Sequence, residues 1–243
     1  MSPVPGASAG DRRAEIAAGL AAVRARIATA CEAAGRDVAE VTLIAITKTR
    51  PASDVALLRD LGVPDVGENR DQEAAAKAAA CADLGVTGLT WHFVGQLQTN
   101  KAASVVRYAA VVHSVDRARL VRALGSQASR SDRTVTCLVQ VSLDGAADRG
   151  GAMAGDVPAL ADAIAAEPGL VLGGVMAVAP LAEEADAPFR KLAQIAARLR
   201  AAHPGATMIS AGMSGDLEPA IANGATHVRV GTALLGVRSA LVR

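Results

Sequence analysis

Eight short apolar runs, each followed by an Ala-rich stretch, recur along the chain. The runs at 41–47, 64–67, 90–94, 110–115, 135–142, 170–178, 206–210 and 227–230 read as strands. Helical stretches lie near 52–61, 70–82, 97–108, 116–129, 156–166, 185–202 and 215–223, and a last short helix follows Gly231. Several runs are apolar at every position, which suits a parallel sheet covered on both faces. This strand–helix alternation predicts an α/β fold, a (β/α)8 barrel, with a doubly wound open sheet as the alternative. An extra helix precedes the first strand. Ile16, Leu20, Val23, Ile27 and Cys31 recur at spacings of three and four from Asp11 to Ala34, and Gly35 stops it.

The opening "MSPVPGASAG", residues 1–10, has neither a basic nor an apolar signal region and reads as a disordered tail before one barrel domain, 11–243. The formal net charge is +1, from 25 basic and 24 acidic residues, with no basic run interleaved with aromatics, so no nucleic-acid partner is expected. No apolar run is long enough to span a membrane. Cys31, Cys81 and Cys137 form no CxxC pair, and His92, His113, His203 and His227 have no metal-ligand spacing. A cytoplasmic protein without a metal is expected.

In such a barrel chemistry sits where strands end and βα loops begin. "VTLIAITKTRP" places Lys48 there. A strand-end lysine can simply reach out to water. At an apolar barrel mouth it would lose hydration, which favours the neutral amine that attacks an aldehyde. Two later turns supply an anion grip. "ISAGMSGDLEPAI" runs strand, glycine turn, helix; Gly212 and Gly215 let backbone N–H groups approach an anion closely, and Ser214 adds a hydroxyl. Ser214 also reads as a helix cap. "HVRVGTALLG" repeats the pattern with Gly231 and Thr232. These are the turns after strands seven and eight, where barrels often hold phosphate. An aldehyde beside a phosphate means pyridoxal 5'-phosphate or a phosphorylated sugar. Arg229 shares a strand face with His227 and can hold a second phosphate oxygen or face a pyridine nitrogen, keeping that nitrogen unprotonated.

The segments "AITKTRP", "VGENRDQE", "WHFVGQLQTNK", "HSVDR", "GVMAV", "GMSGD" and "VRVGTALLG", in this order, resemble the pyridoxal phosphate homeostasis proteins of the alanine racemase-like barrel group. The resemblance covers the chain from about residue 15. It implies a Schiff base on Lys48, phosphate held by Ser214 with Gly212 and Met213 backbone and by Gly231 with Thr232, Arg229 facing the ring nitrogen, and Asn69 beside the ring. It implies a carrier that buffers pyridoxal phosphate or delivers it to apo-enzymes, as a monomer or weak dimer. Arg70 stands where many relatives have Tyr, and "GVMAVAP" and Ala211 also depart from the usual pattern.

The residues themselves leave several readings open. Asn69 precedes a helix with Gln72 three residues on, which also reads as capping. His92 and Met176 are core residues or cofactor lining, and His113 ends a strand with the same ambiguity. Glu68 reads as an ion-pair partner and Lys101 as a solvated helix residue. An amino-acid racemase is the enzymatic alternative. It needs a proton acceptor opposite Lys48, and Tyr108, the one tyrosine, falls on an early helix. The chain is expected to leave no room for a second domain. A sugar-phosphate aldolase would be colourless, whereas pyridoxal phosphate colours a protein yellow. The loop 142–156 lies at the same rim.

Overall fold

Each apolar run lies parallel to the next. A computed structural model describes residues 9–145, 150–180 and 186–236. The strands β1 (Thr42–Ile46), β2 (Asp65–Glu68), β3 (Thr90–Phe93), β4 (Val111–Val115), β5 (Val135–Gln140), β6 (Leu170–Met176), β7 (Met208–Ser210) and β8 (His227–Val230) form a closed barrel in chain order. Closure comes from β1 against β8, with Thr42 opposite His227 and Ala45 opposite Val230. An open sheet is thereby excluded.

The described helices are α1 (Ala9–Ala33), α2 (Ala52–Asp60), α3 (Asp71–Asp83), α4 (Ala102–Tyr108), α5 (Ala118–Arg130), α6 (Val157–Ala166), α7 (Ala187–Ala202), α8 (Leu217–Ala222) and α9 (Thr232–Leu235). Among the boundaries that differ from expectation, three move the start of an element. The first helix starts at Ala9, inside the expected tail, the rest of which lies outside the described residues. Residues 99–101 wind as a 3-10 turn, so α4 begins at Ala102 and Lys101 sits at the turn's end. Residues 204–207 form a turn, with the Ala206 N–H donating to the His203 carbonyl, and this shortens β7. Residues 146–149 of the 142–156 loop lie outside the described residues.

The long first helix matters to the rim. Ile16, Leu20, Val23, Ile27 and Cys31 are at most 3% exposed and pack with Leu217, Ile221, Leu234 and Leu235 of α8 and α9. Each large aliphatic side chain buried this way contributes roughly 1.5–3 kcal/mol. A β-carbon on Gly19 would lie 2.3 Å from the Leu234 carbonyl oxygen, so α1 seats backbone-close on α9. Arg26 adds polar ties, donating to Glu218 at 2.7 and 2.9 Å and to the Ser214 carbonyl at 2.9 Å. Thus α1 braces both C-terminal turns from behind.

The barrel interior is partly apolar, with Val111, Leu138 and Met176 clustered there. It also carries polar side chains that a barrel core seldom holds. His92, His113, Ser210 and Arg229 are each at most 5% exposed. Buried polar groups persist only when hydrogen-bonded, and these four bond to one another in sequence.

Candidate functional site

The C-terminal rim of β1 is locally strained. Lys48 follows β1 in a turn, and Thr49 beyond it has φ +63°, a left-handed conformation unfavourable for a β-branched residue. The turn is clamped from outside the barrel. Lys77 of α3, 6% exposed, donates to the Thr47 carbonyl at 2.6 Å and to Glu68 Oε1 at 2.5 Å. Thr47 Oγ1 donates to the same Glu68 oxygen at 2.6 Å, and Glu73 accepts from the Thr49 N–H. Burial raises the Glu68 pKa, while Lys77 and Thr47 oppose the rise; its other oxygen, Oε2, has no hydrogen-bond partner. Glu68 is therefore an ion-pair partner, as its sequence position suggested. Lys77 was missed, a single lysine in a run of alanines. Its spacing of four from Glu73 was the available signal.

Lys48 itself is solvent-exposed, and among the described residues its amine makes no hydrogen bond or ion pair. The expected loss of hydration is absent because Lys48 sits two residues past the end of β1, in the turn. Its chain position still places it on the parity of Ile44 and Ile46, whose side chains face Gly67.

The two glycine turns stand beside it. A β-carbon on Gly231 would lie 3.4 Å from both the Cβ and the carbonyl oxygen of Ile46, two residues before Lys48. The turns also meet each other, since Ser214 Oγ accepts from the Ala233 N–H at 3.4 Å. Gly212 has φ +88°, and a β-carbon there would lie 2.7 Å from that of Ala220, so only glycine fits. The backbone N–H groups of Ser214 and Gly215 bond to no described residue. Thr232, the first residue of α9, leaves its N–H without an intrahelical partner. Met213 differs from expectation: its N–H donates to Asp216 Oδ1 at 2.5 Å, a carboxylate where a phosphate oxygen was foreseen. Asp216, not Ser214, is the N-cap residue of α8, and the Ser214 hydroxyl turns instead to the first turn of α9.

Arg229 points inward. Its Nη1 donates to Ser210 Oγ at 2.6 Å and its Nη2 to the Ala177 carbonyl at 2.8 Å. Burial lowers its pKa to about 10, which leaves it cationic at neutral pH; Asp216 acts in the opposite direction. His113 Nδ1 lies 3.0 Å from Ser210 Oγ, His92 Nδ1 2.9 Å from His113 Nε2, and Asp65 Oδ1 3.0 Å from His92 Nε2. Burial, then His92, Arg229 and His227, lower the His113 pKa, and burial lowers that of His227 to about 4. His92 is thus a hydrogen-bonded interior residue with both ring nitrogens engaged. Met176 is buried with Val111 and Leu138. Asn69 caps no helix: the N-cap of α3 is Arg70, without a side-chain bond. Asn69 is half-buried after β2, and its amide bonds to no described residue.

Tyr108 lies outside the barrel. It packs edge-on to Trp91, with centroids 6.4 Å apart, and reaches Asp71 at 3.5 Å. Among the described residues no cluster of His, Cys, Asp and Glu could hold a metal ion, and no helix is long and apolar enough to cross a membrane.

A closed barrel with a lysine after β1 and glycine turns after β7 and β8 defines a class. Residues 19–239 match the alanine racemase N-terminal domain family. The alanine racemase of Corynebacterium glutamicum superposes with TM-score 0.66 over 95% of this chain and 63% of its own, at 15% identity, a likeness of fold. Closer relatives narrow the class. The pyridoxal phosphate homeostasis protein of Mycobacterium bovis is 47% identical over 94% of this chain and 95% of its own. That of Escherichia coli K12 is 38% identical over 92% and 97%. PipY of Synechococcus elongatus PCC7942, solved with PLP bound, is 35% identical over 91% of this chain and all of its own, with TM-score 0.79. The chain belongs to the pyridoxal phosphate homeostasis family within the alanine racemase N-terminal domain family.

Proposed function

We propose that the protein binds pyridoxal 5'-phosphate as a Schiff base on Lys48, with the phosphate on the loops after β7 and β8, and serves intracellular homeostasis of that cofactor. One observation carries the reading. The strand before Lys48 closes the barrel against β8, so the amine and both glycine turns sit on three consecutive strand ends. The donor set fits the group: an exposed amine for the aldehyde, unspent Ser214 and Gly215 amides with the Thr232 hydroxyl for the phosphate, and a buried cation, Arg229, for the ring nitrogen. Bound cofactor supplies a conjugated electron sink. A cationic partner at the ring nitrogen weakens that sink and favours storage over carbanion chemistry. Asn69, His92 and Met176 complete the surroundings.

A racemase requires a second proton acceptor across the substrate from Lys48. Tyr108, engaged by Trp91 and Asp71 outside the barrel, is not placed for it. Carriage inside the cell, with release to apo-enzymes that use the cofactor, suits an exposed lysine. The test is the visible absorbance of purified protein after loading. It is expected in the wild type and lost in Lys48→Ala. Interconversion of alanine enantiomers above a cofactor-only control would overturn the carrier reading.

A further inference from the structure

With both imidazoles neutral, the polar chain inside the barrel has one consistent set of hydrogen positions. Asp65, whose side chain is 21% exposed, ends it as a carboxylate that only accepts, so His92 donates from Nε2. The neutral His92 then accepts at Nδ1, and His113 donates from Nε2 across the 2.9 Å contact. His113 in turn accepts at Nδ1 from the Ser210 hydroxyl at 3.0 Å. The Ser210 oxygen is left to accept from Arg229 at 2.6 Å. Every link has one donor and one acceptor, and the ends carry opposite charges. The chain joins β2, β3, β4, β7 and β8; β3 pairs with β2 on one side and with β4 on the other, where His92 lies opposite Val111, two residues before His113.

Resting on the reading that Arg229 meets the cofactor ring, we propose that Asp65, His92, His113 and Ser210 are positioning residues for Arg229. They fix the guanidinium so that its unspent N–H groups face the ring nitrogen of pyridoxal phosphate. The Ala177 carbonyl holds the other arm, so the cation cannot swing out to water without breaking two bonds. A barrel core of aliphatic residues would give the same fold without this polar layer. Its cost in desolvation is accepted where one side chain must be held in one orientation.

The test uses the full-length chain in two states. Without cofactor, long-range 1H–15N spectra at neutral pH should show His92 and His113 both protonated at Nε2. A Nδ1–H tautomer at His113 would overturn the assignment. With cofactor, Ser210→Ala should still carry it on Lys48 after borohydride reduction. Its dissociation constant should rise about tenfold, the effect of one hydrogen bond to a charged group, and its visible band should move. Ser210→Thr, which keeps the hydroxyl, should return both to wild type, a rescue that loss of packing would not show. Unchanged affinity and band in Ser210→Ala would sink the proposal. Failure of the wild type itself to take up cofactor would fell the underlying reading and this proposal with it, a result distinct from the preceding one.

Discussion

Replacing Lys77 by Met removes one ion from a buried cluster while keeping a side chain of similar length. Lys77 is 6% exposed and Glu68 fully buried, so the variant strands a carboxylate whose one remaining close donor is Thr47 Oγ1 at 2.6 Å. Removing one member of a buried pair costs roughly 3–5 kcal/mol. Glu68 can escape part of this by taking up a proton, at ~1.4 kcal/mol for each unit between the solution pH and its own pKa. We therefore expect a loss of about 3 kcal/mol at pH 7.5 or so. The double variant Lys77→Met/Glu68→Gln leaves no buried charge and should recover all but about 1 kcal/mol.

The pH dependence has a definite sign. Lys77 lowers the Glu68 pKa, so its removal raises the folded-state value further. Below the unfolded value of about 4.3 both states are protonated and the penalty vanishes; above it the penalty grows with pH. The deficit of the single variant should shrink as pH falls toward 5, the double variant's should not, and urea unfolding followed by Trp91 fluorescence reads both. A single-variant deficit under about 1 kcal/mol, or one that widens on acidification, would refute the reasoning.

Gly19→Ala drives a methyl group into the Leu234 carbonyl, 2.3 Å away, and should cost roughly 1–3 kcal/mol by thermal unfolding while weakening cofactor binding through the displaced α9. An unchanged melting temperature would show that α1 does not seat on α9. His227 has its pKa lowered to about 4, chiefly by burial. Its contribution is present above the unfolded value of about 6.5 and is lost as pH falls toward 4, amounting to roughly 2–3 kcal/mol. His227→Gln should flatten the stability profile between pH 7 and 5; parallel profiles would discount that contribution.

Much of the barrel was legible because its signal is local. Alternating runs marked the strands, and the three-and-four spacing of Ile16 to Cys31 marked the face that α1 buries. That Lys48, Gly212, Ser214, Gly231 and Thr232 follow the ends of strands was readable because each comes shortly after an apolar run. The interior chain was harder to see. Asp65, His92, His113 and Ser210 are far apart in sequence and meet only through strand register. A polar residue at an inward position in one strand after another was the available clue. Capping by Asn69 and Ser214 misled because a capping pattern is short, and tertiary contacts decided otherwise: Ser214 is held by α1 and α9 instead.

Borohydride reduction of the loaded protein, followed by peptide mapping, bears most directly on the proposed function. One pyridoxyl adduct on the peptide containing Lys48, absent in Lys48→Ala, is the expected result. An adduct on Lys77, Lys101 or Lys191 with Lys48 unmodified, or no adduct in a protein that binds the cofactor, would contradict it.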